Sequence, residues 1–188
     1  LSRAGLGPQD VIFQAFSGPS ATVAAFRSGQ VDAICYHDPL ITQLEQGGEL
    51  RVMADMRTLR GSAEVFGGPL PAASLCASAD YIRENPRRCQ ALAHAMVHAL
   101  KWLQTAGPSD LNKTVPEAYF QGDRGLYLAA FSRAREAWVP DGLMPERGPQ
   151  TAARMLAQLD DTQALQKVDL ARTFTNDFAR VAKARFRA

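Results

Sequence analysis

Between Ala25 and Pro39 the chain passes from helix to strand to a polar strand end. Residues 21–27 combine helix formers with apolar spacing, and Gly29 stands where a helix C-terminal cap belongs. Residues 31–35 form a short apolar run interrupted by Asp32. Tyr36, His37 and Asp38 follow at once, and Pro39 ends any strand pairing. A helix that feeds a strand with a polar end is the building unit of an open α/β sheet. Such sheets hold ligands at the C-terminal ends of their strands. The order therefore places an aromatic ring, an imidazole and a carboxylate at the edge of a binding cleft.

The flanking sequence extends this pattern. Residues 1–5 read as the end of a helix, and residues 11–16 (Val-Ile-Phe-Gln-Ala-Phe) as a buried strand. Ser17-Gly18-Pro19-Ser20 breaks that strand and makes Ser20 the expected N-cap of helix 21–27. The amides at such a helix start form an anion site. A helix is expected over 39–46 and strands over 50–55 and 72–77, joined by a long glycine- and proline-rich connection at 56–71. Beyond residue 78 the pattern turns helical. A short helical turn is expected from Ser78-Ala79-Asp80 to Glu84, then a longer helix opened by Pro86 with Leu92, Met96, Leu100 and Leu103 at helical spacing. Further helices are expected at 108–121 with a break at Pro116, at 123–139, at 148–159, and from 169 to the end. The fold class expected is α/β, with a mainly parallel sheet in the first 80 residues and a helical second half.

Composition excludes several classes. A hydrophobic fraction of 46% and a charged fraction of 21% are those of an ordinary globular chain. A net charge of +2 over 188 residues argues against a nucleic-acid surface. No apolar run approaches the length of a membrane span. Cys35, Cys76 and Cys89 fit no zinc spacing and read as buried small hydrophobes, although a Cys35–Cys76 disulfide stays open in an oxidising compartment. His94 and His98 share a helix face, but no third ligand stands at metal-binding spacing, so no metal and no cofactor is expected.

Several stretches carry a family resemblance in their order. They are Leu6-Gly7-Pro8-Gln9-Asp10-Val11, Gly18-Pro19-Ser20-Ala21, and Gly29-Gln30-Val31-Asp32-Ala33 followed by His37-Asp38-Pro39. Asp80 to Pro86, Asp141-Gly142-Leu143-Met144 and Asp169 to Asn176 continue it. Together they resemble the substrate-binding proteins of ABC importers in the nitrate, sulfonate, taurine and thiamine-precursor group. The resemblance implies a type II periplasmic-binding-protein fold whose N-terminal half lies outside this chain. It would make residues 1–36 the remainder of the second lobe and 37–188 the C-terminal part of the first. It also implies a small-molecule ligand, an ABC permease as partner, and a periplasmic or lipid-anchored extracytoplasmic location. The half left without its partner lobe leaves room for a homodimer.

The expected ligand-binding residues are Gly18, Ser20, Tyr36, His37, Asp38 and Phe66. Gly18 and Ser20 offer backbone and hydroxyl donors to an anionic head group. Tyr36 offers a ring for stacking, His37 a hydrogen bond to a carboxylate or sulfonate, and Asp38 an acceptor for an amine. Each has a plainer role: Ser20 as a helix cap, Tyr36 as a half-buried strand-end ring, Asp38 as the cap of the helix opened by Pro39. Phe66 lies in the glycine-rich connection. His37 stands where the family often carries an aromatic residue, which leaves the ligand class open. No catalytic residue is expected. The alternatives are an enzyme on the same fold, in thiamine-pyrimidine or menaquinone synthesis, with His37 as its only candidate reactive group, and a non-binding fragment that dimerises.

Overall fold

The computed structural model describes Leu1, residues 4–158 and residues 167–188. It divides into two compact units, Leu1–Arg51 and Val52–Ala188.

In the first unit, helix α1 (Pro19–Arg27) begins on Gly18, whose φ of +94° is closed to most L side chains. Pro19 follows at the first helical position, where its missing N–H leaves no bond unmade. Gly18, not Ser20, is therefore the cap. Ser20 sits inside the first turn, and its hydroxyl caps nothing. The helix ends as its sequence predicts: Gly29 adopts φ +71°, and the Gln30 amide reaches back to the Ala25 carbonyl at 2.9 Å. Helix α2 (Leu40–Gln46) buries Leu40, Thr42 and Leu44. Arg27 binds both carboxylate oxygens of Glu49, at 2.5 and 2.7 Å, tying the end of α1 to the turn after α2.

The second unit is a set of capped helices. Helix α3 (Leu59–Phe66) rises inside the stretch expected to be a loop. Thr58 Oγ1 accepts from the Gly61 amide at 3.0 Å, and Glu136 Oε1 accepts from the Leu59 amide at 2.9 Å. Gly61 misleads the eye because glycine disfavours helix interiors. Here it is needed: a Cβ at that position would stand 1.7 Å from the Asp55 carbonyl oxygen. Helix α4 (Ala79–Glu84) starts on Ser78, whose Oγ accepts from the Tyr81 amide at 3.1 Å. Helix α5 (Pro86–Thr105) starts on a proline, as expected. Helix α6 (Pro108–Thr114) stops before Pro116, and a 3₁₀ turn over Glu117–Phe120 follows. Helix α7 (Arg124–Ala134) is capped by Asp123, and helix α8 (Gly148–Leu156) follows a loop. The expected end of α8 at Leu159 lies outside the described residues, as do Ser2 and Arg3 of the expected N-terminal helix end. The last helix, α9, covers only Asp177–Phe186, because Asp169 caps a 3₁₀ turn instead.

Ala106, Leu111 and Phe131 form the core where the end of α5 meets α6 and α7, with Trp102, Leu103, Val115, Leu128 and Trp138 packed around them. Arg135 closes this corner. Its guanidinium lies 4.8 Å from the Phe131 ring centre and donates to the carbonyls of Leu103, Gln104 and Ala106 at 2.9, 2.8 and 2.6 Å. These carbonyls lie at the C-terminal end of α5, where helix acceptors lack partners. Helix α9 lies along α5: Gln90 Nε2 donates to the Phe178 carbonyl at 3.0 Å, and Lys101 Nζ donates to that of Phe186.

The expected parallel sheet is not there. Among the described residues no strand forms, and the protein is not an α/β fold of the mainly parallel kind. The runs 11–16, 31–35, 50–55 and 72–77 are non-helical but join no ladder. Their apolar side chains show the same thing: Ile12 is 97% exposed and Met53 80%. A strand is stabilised by its cross-strand partners, so alternating or apolar sequence alone does not make one. The cysteines also depart from expectation. All three are free thiols, but only Cys89 is buried, while Cys35 and Cys76 are exposed.

Candidate functional site

Five of the six expected ligand residues lie in the first unit. Gly18 and Ser20 open α1, and Thr22 Oγ1 donates to the Gly18 carbonyl at 2.9 Å, fixing the turn. Ser20 is exposed.

Tyr36, His37 and Asp38 form one short polar stretch before α2. The Tyr36 and His37 rings lie 4.8 Å apart and tilted by 32°. His37 Nδ1 sits 2.9 Å from the Asp38 carbonyl oxygen, so a protonated Nδ1 donates there. His37 is exposed, and with the proton on Nδ1 its Nε2 is a hydrogen-bond acceptor. Asp38 is engaged with the helix that follows. Its Oδ1 accepts from the Thr42 amide at 3.0 Å and from Thr42 Oγ1 at 2.8 Å. Thr42 is fully buried. Asp38 therefore holds the first turn of α2, but from one position before the cap: the cap residue is Pro39, not Asp38, and Leu40 is the first helical residue. Thr42 was the residue missed by reading the sequence. Its signal is the spacing Asp38-x-x-x-Thr42, which puts a carboxylate one turn before a hydroxyl. The Asp38–Pro39 peptide is cis.

Phe66 belongs to the second unit and ends α3. A shallow cavity of about 130 Å³ opens beside it, lined by Val65, Phe66, Arg154, Met155 and Gln158. Organic ligands are commonly held in cavities of roughly 300–1,000 Å³, so this one has room for little more than a few waters. The glycines after Phe66 have a packing role. A Cβ on Gly68 would stand 2.6 Å from Oγ1 of the buried Thr151, and Arg154 donates to the Gly67 carbonyl at 3.3 Å. Gly67 adopts φ +74° as the left-handed C-terminal cap of α3, and Gly68 leaves room for Thr151 of α8.

The two C-terminal sequence signatures meet each other. Asn176 Oδ1 accepts from the Met144 amide at 2.8 Å, and its Nδ2 donates to the Met144 carbonyl at 3.3 Å. Lys183 Nζ lies 2.8 Å from Asp141 Oδ2. Partial burial pushes the Asp141 carboxyl up, but the Lys183 hydrogen bond and the Leu143 amide outweigh it and hold it below the usual carboxylate range. Asp55 is likewise held low, chiefly by the hydrogen bond from Arg57. His94 and His98 both pack on Phe186. His98 stacks on Phe186 at 4.7 Å, His94 meets the same ring edge-on at 5.7 Å, and no metal-binding cluster occurs among the described residues.

The sequence profile of the NMT1-like family matches residues 1–115, which include every expected ligand residue and most of the quoted signatures. The chain belongs to the NMT1-like family. A solved structure of a protein from Bordetella bronchiseptica RB50 is 39% identical in sequence and superposes with a TM-score of 0.86. That match takes in 100% of this chain and 59% of the other, so the chain spans about three fifths of the length of that solved relative. None of the curated proteins matches the chain.

Proposed function

We propose that this NMT1-like chain is the solute-binding component, or the C-terminal part of one, of an ABC-type importer. The ligand would be a small organic molecule or anion, of the kind represented by a sulfonate, a nitrate-like anion or a thiamine-precursor pyrimidine. The partner would be an ABC permease, and the location extracytoplasmic. The family match over residues 1–115 supports that reading.

The observation that carries the site is the close Tyr36–His37 ring pair. It sets an aromatic ring beside a hydrogen-bonding imidazole, suited to a planar or anionic solute. Asp38 takes a positioning role, because its carboxylate is engaged with Thr42. Gly18, Ser20 and the amides opening α1 are the second anion-binding element. Phe66, in the second unit, lines only the small cavity there and has no part in this proposal. Titration calorimetry of the whole chain against taurine, nitrate, short carboxylates and hydroxymethyl-pyrimidine tests this. A ligand found in the panel should lose about ten-fold or more in affinity with His37→Ala, roughly one charge-assisted hydrogen bond. Unchanged affinity in both Tyr36→Ala and His37→Ala would remove the site from this stretch.

A further inference from the structure

We draw no further inference here: the strongest candidate, the exposed apolar stretch around Ile12 and Phe13 ahead of α1 in the first unit, carries nothing, since nothing in the structure shows what covers it.

Discussion

Replacing Asp38 separates its two roles. In Asp38→Ala the Thr42 amide loses its cap, which costs about 0.5–2 kcal/mol. The Thr42 hydroxyl is fully buried and loses an acceptor at 2.8 Å, a further cost of about 0.5–1.5 kcal/mol for one lost hydrogen bond. The two losses share one side chain and do not add in full. A net cost of about 2 kcal/mol for opening α2 is expected, or roughly 30-fold in the opening equilibrium. Asp38→Asn keeps an oxygen at the Oδ1 position and loses only the charge, so its cost should stay below about 1 kcal/mol. Hydrogen exchange followed by mass spectrometry, read on peptides covering residues 40–46, measures both. The expected result is exchange about 30-fold faster with alanine and less than five-fold faster with asparagine. Equal acceleration in the two variants would show that charge, not acceptor geometry, holds α2. No acceleration in either would refute the capping role and return Asp38 to the ligand.

Three more outcomes follow from the second unit. Helix propensity alone would make Gly61→Ala stabilising by about 1 kcal/mol; the Asp55 carbonyl at 1.7 Å from the new Cβ makes it destabilising instead, by about 2 kcal/mol in urea unfolding, and a gain in stability would contradict this packing. Asn176→Ala leaves both Met144 backbone groups unpaired and should lower stability by about 2 kcal/mol, with Asn176→Asp, which keeps only the acceptor, losing less; equal losses in the two thermal melts would count against the paired bonds. The Asp141 carboxyl has a folded-state pKa below its ordinary 3.8, so its contribution is present above that value and fades as the pH falls through the depressed one. Lys183→Met should lower the melting temperature near pH 7 and shrink its fall between pH 5 and 2, whereas an unaltered pH profile would mean that the pair contributes nothing.

Helix boundaries were legible wherever a local device sets them. Gly29, Ser78, Pro86, Asp123 and the stop at Pro116 act within a few residues of themselves, so the sequence around each contains its own explanation. Gly18 and Ser20 show how narrowly this holds. Both residue types cap helices, and the proline between them decides the matter by taking the first helical position. Helix α3 was illegible because the reason for Gly61 is a carbonyl six residues earlier, which only the folded chain brings close. The strands failed for a deeper reason. Apolar runs such as 11–16 satisfy the sequence pattern for a strand, yet pairing is a relation between two segments, and these segments have no ladder partner among the described residues. At the candidate site the residue types of Tyr36–Asp38 were readable, but the division of labour was not. That division depends on Thr42 being buried, a property of packing rather than of spacing.

The central claim is that a small solute is bound, and native mass spectrometry of the protein isolated from its own host tests it most directly. The account predicts a small organic adduct that leaves on collisional activation and is depleted in the His37→Ala variant. A chain that arrives bare, and stays bare when the calorimetric panel is added, would contradict it.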